Sequence, residues 1–266
     1  MKFITSAKTE QGLRDYQQDR YAHIRINDKS ILVIADGNGG NGGEKLAEMA
    51  ARLCLSYLFI SLSMDYKNSF ESLDKLRILG LKTIKRATRE IDLYKKTHNI
   101  EKAGTTITLV IITPELIGAF WIGDSPIYLF EQGNLAMLIK PHTLAELLIE
   151  KGEPEEIIHQ QPSLNSILTR CAGHKECTPD SLIVKLTKKS IILAGSDGAF
   201  NYIPDTTIAA ILKANINSVE NIPDEIIKNA LDNGSDDNCT VISCLAVPEI
   251  NLEKSFTRLT RTYEFK

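Results

Sequence analysis

Short apolar runs separated by turn-forming residues recur along the chain and predict a set of β-strands. Residues 21–26 and 31–35 predict two strands joined by a turn at Asn27-Asp28-Lys29. The remaining predicted strands lie between 104 and 140, at 182–187, at 190–195 and at 238–247. Most of these runs follow one another at hairpin spacing, which is typical of antiparallel sheets.

Between the strand blocks, leucine and isoleucine recur at three- and four-residue steps, and this period predicts helices in pairs. A helix over 44–62 is expected after Gly42-Gly43, and a second over about 68–97. Shorter helices are predicted at 143–151, 154–160, 205–214 and 218–231. Blocks of strands covered by pairs of helices favour an α+β fold with antiparallel sheets over alternating βαβ units.

Charge and composition narrow the class of partner. The 266 residues carry 31 basic and 34 acidic side chains, a formal net charge of −3, which favours neither nucleic acid nor an anionic membrane. The longest apolar stretch, Leu109 to Gly123, is interrupted by Pro114 and Glu115 and is too short to span a bilayer. We therefore expect a cytoplasmic protein that binds neither nucleic acid nor membranes.

The cysteines and the absence of linkers bear on domain organisation. Five cysteines, an odd number in a chain of this length, favour reduced thiols over a disulfide framework. No repeat or Pro/Gly/Ser-rich linker divides the sequence. We expect one domain over residues 1–250, with 251–266 as a charged tail or an edge element.

Four aspartates stand where predicted strands end or begin, each beside glycine, serine or asparagine. They are Asp36, Asp124, Asp197 and Asp237. Carboxylates gathered at one rim of a sheet repel one another and raise one another's pKa unless cations neutralise them. Oxygen ligands of this kind suit hard divalent ions, so the pattern predicts a Mg²⁺ or Mn²⁺ site.

These aspartates belong to seven short motifs whose order along the chain is informative. The motifs are Arg14-Asp15-Tyr16-Gln17-Gln18-Asp19, Asp36-Gly37-Asn38-Gly39-Gly40 with Gly43-Glu44, Gly104-Thr105-Thr106, Gly123-Asp124-Ser125, Leu168-Thr169-Arg170, Ser196-Asp197-Gly198 and Ser235-Asp236-Asp237-Asn238-Cys239-Thr240. From residue 12 to about 247 the chain resembles the metal-dependent protein serine/threonine phosphatases of the PPM or PP2C family, bacterial type. One such triplet is an ordinary turn sequence, whereas seven in the family's order are specific.

The resemblance implies a fold and a reaction. The fold would be a four-layer α/β/β/α sandwich of two antiparallel sheets flanked by helix pairs. The reaction would be hydrolysis of phosphoserine and phosphothreonine by a water that bridges two Mn²⁺ or Mg²⁺ ions, without a covalent intermediate. The partners would be phosphorylated proteins made by an opposing serine/threonine kinase, and the protein is expected to be a monomer.

The resemblance also assigns metal ligands. Asp36 would bridge the two ions, with the Gly37 carbonyl as a neighbouring ligand. Asp197 and Asp237 would hold the first ion, and Asp19 would assist the second. At Asp124 the family often binds a third, weaker ion.

Other motif residues would bind phosphate or support the ligands. Arg14 would bind phosphate oxygens through its planar guanidinium, and it is also a candidate catalytic residue. Asn238 and Thr240 would orient Asp237. Thr105 and Thr106 are expected to pack or bond within the sheet.

Four positions depart from the family pattern. Asn38 stands where many eukaryotic members have a histidine that protonates the leaving alcohol, so another group must supply that proton here. Gln18 replaces a common glutamate and predicts weaker binding of the second ion. Gln17 and Pro126 replace the usual Asn and Arg, so we expect the local geometry to differ from that of the family while turnover is kept.

Three alternatives remain. Gly37-x-Gly39-x-x-Gly42 matches the dinucleotide-binding fingerprint, but Asp36 would repel the pyrophosphate and no second strand ending in a ribose-binding acid follows. Cys171, His174 and Cys177 could bind zinc, although the spacing is not that of a standard finger and a structural loop is favoured. The chain could also be an inactive pseudophosphatase that binds phosphoproteins, an alternative disfavoured by the intact metal aspartates.

Overall fold

Two antiparallel β-sheets packed face to face form the centre of the computed structural model, which describes residues 1–40, 42–64, 72–174, 177–186 and 188–247. The strands are β1 (Lys2–Glu10), β2 (Asp19–Ile26), β3 (Lys29–Asn38), β4 (Gly104–Thr105), β5 (Ile107–Ile112), β6 (Leu116–Ile122), β7 (Ile127–Glu131), β8 (Asn134–Met137), β9 (Asp180–Lys185), β10 (Ser190–Gly195) and β11 (Cys239–Val247). The helices are α1 (Gly43–Met64), α2 (Leu73–Thr97), α3 (Leu144–Glu150), α4 (Glu155–His159), α5 (Asp197–Phe200), α6 (Asp205–Ala214) and α7 (Ile222–Asp232). Short 3₁₀ turns lie at Pro162–Ser166 and Val219–Asn221.

The strand order places the predicted motifs at neighbouring strand ends. The first sheet runs β1-β11-β10-β7-β8, and the second runs β2-β3-β5-β6-β9 with β4 paired to β3. All the pairings between these strands are antiparallel. The fold predicted from the sequence is therefore confirmed.

Three clusters of buried side chains correspond to the three contacts between four layers. The first lies between the helix pair α1 and α2 and the second sheet. A second cluster fills the space between the two sheets, and a third lies between the first sheet and α5, α6 and α7. This layering is the α/β/β/α sandwich expected from the resemblance.

The apolar run of β3 shows how one strand contributes to two of these clusters. Ile31, Val33 and Ala35 face the helices, whereas Leu32 and Ile34 face the opposite sheet. Successive side chains of a strand point to opposite faces, so a strand buried on both sides is continuously apolar rather than alternating. The run ends at Asp36, where the strand reaches the rim of the sheet.

The boundaries differ from the predicted ones in several places. The pattern predicts no strand before residue 21, whereas β1 pairs along its whole length with β11 at the edge of the first sheet. Its residues are mostly half-buried, so its alternation of apolar and polar positions is weak. The strand β9 begins two residues before the predicted start at 182, and α7 begins at 222 after a 3₁₀ turn.

Some predictions fall on residues outside the described ranges. These are the start of the second helix at 68–71, the end of a strand at 187, and the tail at 251–266. Within the described part, α2 begins at Leu73, where the side chain of Ser72 accepts a hydrogen bond from the Lys75 backbone N–H. All five cysteines are free thiols, as predicted. No helix in the described ranges combines the length and the apolar character needed to cross a membrane.

Helix α2 packs closely against β6 at Gly80, so a substitution at this glycine tests the packing. The ring of fully buried Phe120 lies against Gly80, where an added Cβ would be 2.3 Å from Cζ of the ring. We predict that Gly80→Ala lowers the free energy of unfolding by up to about 2 kcal/mol, because an overpacking cost of about 1–3 kcal/mol is offset only by a helix-propensity gain of about 1 kcal/mol. Urea denaturation followed by circular dichroism measures the change.

The matched control for Gly80→Ala is the same substitution combined with Phe120→Leu. The smaller side chain removes the clash, so alanine at position 80 should cost less in that background. Equal or higher stability of the Gly80→Ala single variant would show that the ring moves aside freely.

Candidate functional site

A polar cleft of about 720 Å³ lies where the ends of the two sheets meet. It is lined by most of the site residues predicted from the sequence: Arg14, Gln18, Asp36, Gly37, Asn38, Asp124, Asp197, Asp237 and Asn238. Asp19 is only 2% exposed and lies beneath this surface, and Thr240 is fully buried. The tertiary structure thus brings the separate motifs together.

Strand pairing positions the first two carboxylates. In the antiparallel register of β2 and β3, Asp19 lies directly opposite Asp36. Side chains directly opposite each other in such a pair point to the same side of the sheet with Cβ atoms about 5 Å apart. The second sheet therefore contributes a close pair of acids to the site.

Two further carboxylates come from the other sheet. Asp197 begins α5 immediately after β10, and Asp237 lies two residues before β11, the strand paired with β10. The carboxyl groups of Asp197 and Asp36 lie close enough to affect each other's pKa, so the two sheets bring their acids together across the cleft. Asp124 follows β6 and completes the cluster.

Position 37, beside Asp36, requires glycine because the backbone of Gly43 packs directly against it. A Cβ atom at this position would lie 2.4 Å from the backbone carbonyl of Gly43, at the start of α1. Only glycine allows this contact without displacement of the loop. Gly37 itself lines the cleft beside Asp36.

Burial and mutual repulsion raise the pKa values of the clustered acids. Burial is the largest cause at Asp36, whose pKa lies well above its usual value, and the charges of Asp19 and Asp197 raise it further. Burial also raises the pKa of Asp124 well above its usual value, and it raises the pKa of Asp19 to about 7 despite hydrogen bonds from Ser196 and Thr240. In the absence of cations, these carboxylates hold protons that ordinary carboxylates would have released.

The donor set fits hard cations that retain part of their water shell. Oδ1 of Asp19 is buried and has no hydrogen-bond partner within the described part of the chain, so one strong acceptor is unused. Across the described residues, no three histidine, cysteine or acidic side chains converge closely enough to enclose one ion. An ion here would therefore complete its coordination with backbone carbonyls and water, as Mg²⁺ commonly does.

Arg14 is the one basic residue among those that line the cleft in the described structure. Its Nη2 donates to Oδ2 of Asp237 at 2.8 Å, and its side chain is 55% exposed. The guanidinium has five N–H donors, so this contact leaves most of its donors available.

Asn238 holds the segment that carries Arg14 and Asp19. Its Nδ2 donates to the carbonyls of Gln11 and Tyr16, and its Oδ1 accepts from the Gln18 N–H at 2.7 Å. The contact of Asn238 with Asp237 is a backbone one, because its own N–H donates to Oδ1 of Asp237 at 2.8 Å. The Asn238 side chain therefore fixes the neighbouring loop, and in the described structure only its backbone N–H supports Asp237.

Thr240 is placed differently from the prediction. Its hydroxyl shares a hydrogen bond with Thr9 at 2.8 Å and also contacts Asp19, and no contact with Asp237 is present among those that the structure describes. Side chains alternate between faces along β11, so a residue three positions after Asp237 need not face it. Thr240 supports Asp19 instead.

Two hydroxyl groups that the sequence did not single out as site residues also support the carboxylates. Ser196 Oγ donates to Oδ2 of Asp19 at 2.6 Å. Thr106 Oγ1 accepts from the Asp36 N–H at 2.9 Å and shares a hydrogen bond with Ser125 Oγ. Ser196 and Thr106 lie inside the quoted motifs, but nothing in the local pattern shows which aspartate each of them contacts.

Two of the residues that depart from the family pattern, Gln17 and Gln18, form hydrogen bonds with nearby segments. Gln17 donates to Thr9 Oγ1 and the Glu10 carbonyl, and its Oε1 accepts from the Asp19 N–H. Gln18 Nε2 donates to the Gly40 carbonyl at 3.1 Å. Asn38 lies at the cleft with its Nδ2 buried and without a partner in the described ranges.

Neither alternative binding motif gains support from the geometry. The glycine-rich segment after β3 leads into α1, but the sheet is antiparallel and α1 is followed by α2, so the βαβ unit of a dinucleotide site is missing from the described structure. Cys171, His174 and Cys177 do not form a metal-holding group among the described residues. Residues 175–176 between them lie outside the described ranges.

Comparison with known proteins agrees with this geometry. A family model described as protein phosphatase 2C matches residues 11–220. The serine/threonine phosphatase stp of Listeria monocytogenes serotype 4b is 27% identical over 240 residues, which cover 88% of this chain and 92% of the relative.

Solved structures share the fold. The serine/threonine phosphatase of S. agalactiae superposes with a TM-score of 0.77 at 24% identity, covering 91% of this chain and 99% of the other. The catalytic domain of the phosphatase PstP, solved in complex with two manganese ions, gives a TM-score of 0.74 at 24% identity over 92% of this chain and 98% of that one.

The raised pKa of Asp19 predicts how the metal-free protein responds to pH. Between about pH 4 and pH 7 the folded state binds more protons at Asp19 than the unfolded state, so stability falls as pH rises through this window and the full loss is present above about pH 7. We expect Asp19→Asn, which keeps an acceptor for Ser196, to raise Tm in EDTA more at about pH 8 than at about pH 5. Differential scanning calorimetry measures both values.

Excess Mn²⁺ provides the control for this pH experiment. Bound cations hold the carboxylates in their ionised form, so the advantage of Asp19→Asn should shrink or reverse when Mn²⁺ is present. If Asp19→Asn and the wild type differ in Tm by the same amount at both pH values in EDTA, the ionisation of Asp19 does not destabilise the protein.

Proposed function

The chain belongs to the protein phosphatase 2C family, and we propose that it hydrolyses phosphoserine and phosphothreonine in proteins with two bound Mn²⁺ or Mg²⁺ ions. The Listeria relative carries the name serine/threonine phosphatase, and the PstP structure contains two manganese ions. For this chain the support is the cleft itself. No covalent phosphoenzyme is part of the proposal.

The observation that carries the proposal is the charge of the cleft. Four carboxylates line it, from Asp36, Asp124, Asp197 and Asp237, against the single guanidinium of Arg14. A phosphate dianion would be repelled by such a surface. The site can accept its substrate only when cations reverse the local charge, and the unused acceptor of Asp19 fits that requirement.

We assign the ligands from the observed positions of these groups. Asp36, close to Asp197 and opposite Asp19, would be shared between the two ions, together with the Gly37 carbonyl. Asp197 and Asp237 would contribute to one ion partly through water, because no three acidic side chains of the described residues converge on a single ion. Asp19 would assist the other ion, largely through water because Asp19 lies below the surface. A third, weaker site would lie at Asp124. When bound, such ions neutralise phosphoryl oxygens and lower the pKa of coordinated water.

Arg14 would bind the phosphate oxygens of the substrate. Its present partner is Asp237, and an ion at Asp237 would compete for that carboxylate. The exposed guanidinium is then available for bidentate contact with phosphate, which suits its planar geometry.

Asn38 does not supply the proton that the leaving alcohol needs. An amide is no general acid at neutral pH, and Nδ2 of Asn38 is buried rather than directed into the open cleft. No histidine, cysteine or lysine lines the described cleft, and burial raises the pKa of Tyr202, which also lines it. The aspartates of the cleft would be ionised beside bound cations and would have no proton to give. We therefore propose that solvent water protonates the leaving alkoxide of serine or threonine.

The reaction implies partners of two kinds. Substrates are phosphorylated proteins, and these exist only where a serine/threonine kinase produces them, so this protein would oppose such a kinase. All proposed site residues come from one chain, so a monomer is sufficient. We also propose that residues 1–250 form a single phosphatase domain.

The central role of Asp36 gives the main test of the proposal. We predict that Asp36→Asn lowers kcat by at least about 100-fold, because the amide cannot hold two cations, while Tm in EDTA stays equal or rises as one repulsive charge is lost. Hydrolysis of p-nitrophenyl phosphate and of a phosphothreonine peptide in Mn²⁺ measures the loss. Asp232→Asn, at an exposed carboxylate of α7, is the matched control and should keep full activity.

Two outcomes of this assay would contradict the proposal. Full activity of Asp36→Asn would remove the bridging role from this residue. Absence of turnover by the wild-type protein, with Mn²⁺ binding demonstrated, would favour the inactive phosphoprotein-binding alternative.

Asp197 and Asp237 test the ligand assignment separately. We expect Asp197→Asn and Asp237→Asn to raise the Mn²⁺ concentration for half-maximal activity by about 10-fold or more, because each removes a charged ligand. Activity measured across a Mn²⁺ titration gives this value. If neither variant shifts the titration, the assigned ligand set is wrong.

A further inference from the structure

His142 lies behind the cleft, where it holds the turn that carries Asp124. The side chain is 3% exposed. Its backbone N–H donates to the Gly123 carbonyl at 2.9 Å, and the Gly123 N–H donates back to its Nδ1 at 3.0 Å. Both polar groups of the Gly123 backbone are therefore bonded to one residue.

These contacts determine which ring nitrogen of His142 carries the proton. A backbone N–H can only donate, so Nδ1 must be the unprotonated acceptor and the proton must be on Nε2. The protonated Nε2 donates a hydrogen bond to Oδ2 of Asp180 at 3.1 Å. Arg170 Nη1 lies 3.3 Å from the same oxygen and fixes the carboxylate in turn.

The Gly123 turn tolerates little displacement. Its φ of +106° is a left-handed conformation, and an added Cβ would lie 2.6 Å from Cγ2 of Thr106. Thr106 bonds both Ser125 and the Asp36 backbone. A shift at Gly123 would therefore move Asp124 relative to Asp36.

We propose that His142, held in its Nε2–H tautomer by Asp180, is a positioning residue that sets the direction of the Asp124 carboxylate for the weakest cation site. The inference rests on the proposed function in taking Asp124 as a ligand. His142 is not among the residues that line the described cleft, so it would act through the Gly123 turn. Hydrogen-bonded partners behind a ligand commonly change metal affinity by about 10- to 100-fold when removed.

The test measures binding of Mn²⁺ alone by isothermal titration calorimetry, so it does not depend on catalysis. We expect His142→Leu to weaken the weakest Mn²⁺-binding step by about 10- to 100-fold, since the Gly123 N–H loses its acceptor. His142→Asn places an amide oxygen near the position of Nδ1 and should restore a large part of the affinity. His23→Leu, at an exposed histidine of β2, is the matched control and should bind as the wild type does.

Asp180→Asn tests the role of the His142 tautomer while the buried imidazole stays in place. The Asp180 side chain is 43% exposed, so the substitution is compatible with folding. The amide NH₂ of an asparagine can donate to Nε2, which allows the ring proton to move to Nδ1. A protonated Nδ1 cannot accept the hydrogen bond from the Gly123 N–H. We expect weaker Mn²⁺ binding in the same step, with a smaller change than for His142→Leu.

A double variant separates positioning from general loss of structure. If His142 acts through Asp124, then His142→Leu combined with Asp124→Asn should bind Mn²⁺ no more weakly than Asp124→Asn alone. Additive losses, wild-type binding by Asp124→Asn, or wild-type binding by both His142→Leu and Asp180→Asn would each overturn the proposal. Absence of phosphatase activity in the wild-type protein would instead reject the proposed function and leave this binding test intact.

Discussion

Electrostatic repulsion among carboxylates gathered at one cleft is the constraint around which this molecule is organised. Asp19 and Asp36 are opposed by strand register, and Asp197 reaches Asp36 from the other sheet. Burial and repulsion leave the pKa of Asp19 at about 7. Such a cluster opposes folding unless protons or cations neutralise it, so metal binding and stability are linked in one equilibrium. The same cations would convert a repulsive cleft into one that accepts phosphate.

The hydrogen bonds around the cluster explain how it keeps its geometry under this repulsion. Asn238 connects segments that are more than 200 residues apart, with Nδ2 donating to the carbonyls of Gln11 and Tyr16. Ser196 and Thr106 each bond an aspartate or its backbone. Side chains whose own bonds are satisfied in this way cannot rotate away from the cleft without leaving a buried polar group unpaired. These hydrogen bonds therefore hold the carboxylates in position at the cleft.

Agreement between sequence and structure is strongest where the signal is local. The apolar run before Asp36 predicts β3 because a strand buried on both faces is continuously apolar. The helix α6 occupies the predicted range 205–214. By contrast, β1 is not predicted, because an edge strand with half-buried residues has a weak pattern and depends on β11 for its bonds. The predicted direction of Thr240 failed for a related reason, since its contacts with Thr9 and Asp19 depend on the pairing of distant strands.

The amino-acid sequence alone determined the kind of chemistry available here: aspartates beside glycine at strand ends, in the order of a phosphatase family, with Asn38 in place of an acid. Local periodicity and turn residues carry that information because they act over a few neighbouring residues. Only the tertiary structure decided that Asn238 holds the loop bearing Arg14, and that His142 faces Gly123 with Nδ1 unprotonated. Such contacts arise from the packing of distant segments, and their partners cannot be read from spacing along the chain.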